Sequence, residues 1–220
     1  MIKRPRGFYE RTGKRIFDIA AAGTALVTLS PLLAILAVMV RVKHGKPVLF
    51  TQLRPGKNEQ LFPMYKFRTM TEERDANGEL LDDYVRLTPF GENLRATSLD
   101  ELPELINILK GDMSVVGPRP LLPDYLPYYT AAEHRRHEVR PGLTGRAQIS
   151  GRNGLSWGER FAEDIAYINN ITFANDIKII LATLRKVIAK DGVNISCLDN
   201  EKDRLDEHRK HPIRSTGGDN

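Results

Sequence analysis

Between Ile19 and Val40 the chain carries no charged residue, a run of 22. As one helix this run would extend about 33 Å at about 1.5 Å per residue, enough to cross a hydrocarbon layer about 30 Å thick. Basic residues crowd both of its ends: Lys3, Arg4, Arg6, Arg11, Lys14 and Arg15 before it, Arg41, Lys43 and Lys46 after it. A cleaved signal peptide has a shorter apolar stretch followed by a small-residue site, and neither is present. A spanning helix fits the length, but short flanks rich in Lys and Arg both favour the cytoplasmic side. A re-entrant helix, entering and leaving by one face, accounts for both flanks and needs a break near its middle. Ser30-Pro31 stands there. Proline removes a backbone donor and clashes with the preceding turn, while a nearby serine hydroxyl can re-satisfy a freed carbonyl. On these residues alone a spanning helix and a buried core helix stay in contention.

The 220 residues carry a formal net charge of +5. A basic excess suits an anionic partner: nucleic acid, a phosphate substrate or an anionic membrane. Its concentration beside the apolar run favours the membrane, and few basic-aromatic interleavings elsewhere support nucleic acid. The single cysteine, Cys197, excludes an internal disulfide and fits a reducing compartment. No Cys/His cluster has zinc spacing. His134 and His137, interleaved with Arg135 and Arg136, read as an exposed charged face rather than a ligand pair. The Asn-x-Ser/Thr matches at Asn170 and Asn194 carry no meaning on a side that is never glycosylated.

Beyond the apolar run, 48–52 and 61–70 read as extended segments. The polar, acidic stretch 71–84 contains an Asn77-Gly78 turn. Leu102, Leu105, Ile106 and Leu109 fall at helical spacing, with Gly111 as the stop. Residues 118–129, rich in proline and tyrosine, read as a packed loop. Two further helices are predicted over 157–169 and 176–190. The second carries Ile177, Ile180, Leu181, Leu184, Val187 and Ile188 on one face, facing either the core or a membrane interface. The charged stretch 201–220 predicts disorder. The expected fold class is α+β, mostly helical with a small sheet, with an N-terminal re-entrant membrane helix as the favoured of the three readings of the apolar run. The expected division is a membrane segment over 1–42, a catalytic domain over 43–200 and a disordered tail over 201–220.

The chemistry concentrates in 95–120, RATSLDELPELINILKGDMSVVGPRP. Asp100 and Glu101 are adjacent carboxylates, able to share a hard divalent cation, and an aspartate can also act as a nucleophile. The plain alternative is a capping box, since Ser98-x-x-Glu101 matches one. Pro103 divides the two readings: a helix starting after Ser98 would bury the proline too deep, whereas one starting near Pro103 leaves both carboxylates outside it. Cations suited to phosphate surround the pair in sequence: Lys66, Arg68, Arg95, Arg119, Arg140 and Arg146. P-loop and dinucleotide-binding fingerprints are absent.

At these residues the sequence resembles the bacterial sugar transferases, the small monotopic phosphoglycosyl transferases. The resemblance runs from about Lys14 to Asp191. It is carried by KRIFD (14–18), Ser30-Pro31, FTQLRPGKN (50–58), YKFRTM (65–70), SLDELPELINILKGDMSVVGPRP (98–120) and RPGLTGRAQISGRN (140–153). The length is similar to the minimal, bacillosamine-type branch. The resemblance implies a re-entrant helix broken at Ser30-Pro31 and a site at the cytoplasmic face of the bacterial inner membrane. It implies Asp100 as nucleophile and Glu101 as its partner, with Mg²⁺ near them. The implied substrates are a UDP-sugar and undecaprenyl phosphate, with UMP released through a phosphosugar-aspartyl intermediate. Lys66, Arg68, Arg95, Arg119 and Arg146 match the basic positions expected to meet phosphates. The chain after Lys202 matches nothing in the family pattern. Two rivals stand beside this expectation: a membrane-anchored hydrolase using the same carboxylates, and a non-enzymatic tether or nucleic-acid binder.

Overall fold

A computed structural model describes residues 7–151, 154–189 and 204–209 of the chain. A π-helical turn, Tyr9–Gly13, leads into α1 (Lys14–Thr28), and α2 (Ser30–His44) follows after the single residue Leu29. The helix path bends by 65° between the two arms. Pro31 falls in the first turn of α2, where an N–H has no acceptor within that helix. Ser30 Oγ donates to the Val27 carbonyl at 2.8 Å, re-satisfying an acceptor that the break frees. Among the described residues no single helix is long and apolar enough to cross a membrane; the bent pair together meets that test by length and composition. Ile16, Val27, Ile35, Val38 and Val42 are exposed on the pair, while Ala22, Leu36 and Val40 pack inward.

The inward face of α1 is pinned by a charge. Asp18, 1% exposed, accepts from Ser114 Oγ at 2.9 Å and from the Val115 N–H at 3.0 Å. The remaining chain builds two two-stranded sheets. Strands β1 (Leu49–Pro55) and β2 (Leu61–Phe67) pair antiparallel with Thr51 opposite Tyr65. Strands β3 (Ser114–Val116) and β4 (Gly142–Thr144) pair in parallel. Between the sheets lie α3 (Asp83–Arg86), α4 (Pro89–Ala96) and α5 (Glu104–Lys110). Gly91 of α4 lies so close to the Thr69 carbonyl that a Cβ there would sit 1.8 Å from the oxygen. After the 3₁₀ segment Pro123–Tyr128 come α6 (Ala131–His134), α7 (Arg146–Ser150), α8 (Trp157–Asn169), α9 (Phe173–Ala189) and α10 (Leu205–His208). Ser156 and Glu159 close a capping box on α8. This is the expected α+β class with a small sheet content.

Several expectations change. On α5, Leu105 and Ile108 are buried beside Glu104 and Asn107, whereas Ile106 and Leu109 are partly exposed. The inward stripe is therefore half polar, and an apolar count misplaces it. Arg136 and His137 do not form an exposed face; they are 3% and 6% exposed, enclosed by Tyr129, Phe161 and Asp164. Helix α9 starts three residues early, buries Asp176 and Ile179, and leaves Leu181 and Leu184 exposed. Within the stretch expected to be disordered, Leu205 is fully buried against Leu121, Tyr125, Tyr129 and Phe161, because one leucine fills an aromatic recess. Asn194, Lys210 and His211 lie outside the described residues.

Candidate active site

The chain reaches Asp100 through a left-handed residue. Ser98 has φ 55°, makes no side-chain cap, and is followed by a 3₁₀ turn over Leu99–Glu101. Pro103 occupies the N-cap position of α5. The capping-box alternative is thus excluded, and both carboxylates stand ahead of the helix. Leu99 and Leu102, on either side of the pair, pack with Leu36 and Val40 of α2. The site is consequently built directly against the second arm of the broken helix.

The two acids differ in their surroundings. Glu101 Oε1 accepts from Lys66 Nζ and from the Arg119 guanidinium, each at 2.7 Å. Burial alone would push Glu101 up; Arg119 and Lys66 outweigh it and hold the group well below the usual carboxylate range. Asp100 is 7% exposed, and among the described residues no hydrogen bond or ion pair reaches its carboxylate. Burial and the adjacent Glu101 charge push Asp100 up to about 6, against the pull of Lys66, Arg95 and Arg119. A buried acid without a fixed partner, beside three cations, is suited to attack an electrophile that brings negative charge with it.

Three of the five expected phosphate residues gather here. Lys66 projects from β2, Arg95 from the last turn of α4 with its Nε on Thr69 Oγ1 at 3.0 Å, and Arg119 from the Gly-Pro-Arg-Pro loop. Arg68 does not join them. It is 7% exposed, with one terminal nitrogen donating to the His44 and Lys46 carbonyls at 2.9 Å each and the other paired with Glu72. It fastens the end of α2 to β2 instead of facing the acids. Arg146 pairs with Glu163 of α8. Arg140, also a sequence candidate, donates to the Gly111 carbonyl at 2.7 Å, beside Arg15 on the Ile108 and Leu109 carbonyls at 2.6 and 2.9 Å. Both cap the C-terminal end of α5, where cations are favoured.

Sequence reasoning missed a third acid. Glu104, 3% exposed, lies 3.4 Å from Lys66 Nζ. Burial and the Glu101 charge push it up to about 7. It hid inside the presumed apolar helix; the signal was a third carboxylate four residues after Asp100, at the first position of α5.

Among the described residues no group of three or more His, Cys, Asp or Glu side chains is placed to hold a metal ion. That excludes a protein-built cage, not a hard divalent cation. Mg²⁺ needs only one or two carboxylates and completes its shell with water and substrate phosphates. Asp100 offers such a carboxylate, and Glu101, with one oxygen shared by two cations, is the weaker ligand.

Comparison with known proteins shows the family. The family model described as bacterial sugar transferase matches residues 9–190. An uncharacterized sugar transferase, EpsL, of Bacillus subtilis is 53% identical over 82% of this chain and 89% of its own length. The exopolysaccharide production protein ExoY of Rhizobium meliloti is 39% identical, covering 81% of this chain and 87% of its own. A UDP-glucose:undecaprenyl-phosphate glucose-1-phosphate transferase of Caulobacter vibrioides is 39% identical, covering 81% of this chain and 71% of its own. With a buried acid, a cation cluster and a match over most of its length, the chain belongs to the bacterial sugar transferase family and is an enzyme of the phosphoglycosyl transferase kind.

Proposed function

We propose that the enzyme transfers a sugar-1-phosphate from a UDP-sugar to undecaprenyl phosphate and releases UMP, in the first membrane step of glycoconjugate synthesis such as exopolysaccharide assembly. One observation carries the reading: Asp100 is buried, its carboxylate makes no hydrogen bond or ion pair among the described residues, and it is set beside Lys66, Arg95 and Arg119 against α2. A carboxylate oxygen of Asp100 attacks the phosphorus that bears the sugar. The bridging P–O bond breaks, and UMP leaves with that oxygen. An oxygen of the lipid phosphate then attacks the same phosphorus, and the Asp100–phosphorus bond breaks to regenerate the carboxylate. Lys66, Arg95 and Arg119 neutralise the diphosphate, and Glu101 orients Lys66 and Arg119 before the donor arrives. Arg68 and Arg146 are left out of this role by their bonds elsewhere. Mg²⁺ held by Asp100, with Glu101 as second ligand, would add charge neutralisation for the departing UMP.

The bent helices act as a re-entrant anchor at the cytoplasmic face of the inner membrane. Their basic flanks meet anionic headgroups, and the lipid phosphate reaches Asp100 without leaving the interface. Purified enzyme with Mg²⁺, undecaprenyl phosphate and a panel of UDP-sugars is expected to release UMP in a lipid-dependent manner. Repeated UMP release without lipid would instead make it a hydrolase.

A further inference from the structure

The family match ends at residue 190, yet Leu205–Arg209 returns to the domain. Leu205 is fully buried in the cluster containing Leu121, Tyr129 and Phe161. Arg209 grips the Glu133 carboxylate with both terminal nitrogens, at 2.7 and 2.8 Å, and stands 5.8 Å over the Phe161 ring. Beneath this cover lies Arg136. Its guanidinium faces the Tyr129 and Phe161 rings at 5.7 and 5.6 Å and is held on Asp164 Oδ2 by Nε at 3.1 Å and a terminal nitrogen at 2.8 Å. That same terminal nitrogen donates to the Arg119 carbonyl at 2.7 Å. Arg119 sits between Pro118 and Pro120, whose rings restrict the backbone on both sides. With its carbonyl held as well, the backbone from which the Arg119 side chain reaches Glu101 is fixed. Leu121, two residues on, touches the cluster that Leu205 completes.

We propose that the Leu205–Arg209 segment positions Arg119 for the donor's phosphates, acting through Tyr129, Phe161 and Arg136. Leu205 and Arg209 are positioning residues: neither touches the acids, and both hold the cage in which Arg136 fixes the Arg119 backbone. A segment that added only stability would lower the melting temperature and the amount of folded enzyme, leaving the donor KM alone. A positioning segment moves KM and the local dynamics of the Arg119 loop. The kinetic part of this inference rests on the phosphosugar-transfer reading; the dynamic part does not.

The test uses full-length chain with Leu205→Asp, the milder Leu205→Ala, and Arg209→Gln. Hydrogen exchange is followed at the Arg119, Leu121 and Leu122 amides, and donor KM and kcat are measured beside it. Exchange at these amides is expected to accelerate about tenfold in Leu205→Asp, with smaller changes in the other two. Donor KM is expected to rise about fivefold with kcat within about twofold. In an Arg119→Ala background, Leu205→Asp should leave KM unchanged, since residues acting through one partner do not add. Unchanged exchange over 119–122 in folded variants overturns the proposal, and so does a KM effect that persists without Arg119. If wild type turns over no UDP-sugar, the transfer reading fails, and the exchange measurement still decides this one.

Discussion

Asn107 and Tyr65 lie 42 residues apart, and the side-chain oxygen of the first accepts the backbone N–H of the second at 3.0 Å. The Asn107 amide nitrogen donates to the Pro63 carbonyl at 2.8 Å, and the residue is wholly buried. One side chain thus pairs the edge of β2 that β1 leaves free, and fixes α5 against it. Lys66 follows Tyr65 on that strand, and Glu101 and Glu104 flank the start of that helix. Asn107→Ala strands a buried donor and acceptor, at a cost of about 2–4 kcal/mol. Urea unfolding should report that loss, and UMP release should fall with it, because Lys66 and Glu101 lose their common register.

Asp100 pays in stability for its setting. Its pKa in the fold lies above the unfolded value, so its contribution to stability is complete below about pH 4 and is lost as pH rises through about 6. Asp100→Asn removes this loss. The variant should therefore be inactive yet more stable than wild type above pH 7, by on the order of 2 kcal/mol, with the gap closing toward pH 4. Denaturant titrations across pH 4–8 test the sign directly. A wild type that is as stable as the variant at pH 8 would show that Asp100 is not held at a cost.

Lys66 holds two acids at once, Glu101 at 2.7 Å and Glu104 at 3.4 Å. Lys66→Met leaves Glu104 without its cation and Glu101 with Arg119 alone. Breaking a buried pair from one side costs about 3–5 kcal/mol. The defect should be largest above pH 7, where both acids are ionised, and Glu104→Gln added to Lys66→Met should recover part of it. Thermal melts of the single and double variants at pH 6 and 8 make the comparison.

The bent pair α1–α2 returns to the side it entered if it is a re-entrant anchor. With Cys197→Ser as background, single cysteines at Arg11 and Lys46 should both resist an impermeant thiol reagent in intact cells. Both should react in inverted vesicles. Labelling of only one in intact cells would make the pair a spanning segment.

Much of this frame was legible because its signals are local. Ser30-Pro31 marks the bend, Gly111 ends α5 with φ +96°, and Asn77-Gly78 turns the acidic loop with Gly78 at φ +84°. The acids stood out in sequence as adjacent carboxylates, but Pro103 alone left the capping box open; the structure closes it with Ser98 at φ 55° and no side-chain cap. What escaped are side chains whose meaning depends on distant partners. Glu104 and Asn107 are polar yet face inward, since Lys66 and the edge of β2 wait for them there. Arg136 was hidden by its charge, which is neutralised by Asp164, 28 residues away. Arg68 looks like a phosphate ligand in sequence, but beside Glu72 it is held by the His44 and Lys46 carbonyls, which only the fold brings near.

The central claim is that Asp100 carries the phosphosugar, and a single-turnover experiment without lipid acceptor addresses it most directly. Enzyme mixed with excess UDP-sugar and Mg²⁺, quenched and analysed by intact mass and peptide mapping, should show one UMP released per enzyme and a phosphosugar adduct on the peptide containing Asp100. Undecaprenyl phosphate added before the quench should discharge that adduct, and Asp100→Asn should never form it. Lipid-dependent turnover with no adduct at any time, or with an adduct on another residue, would contradict the account.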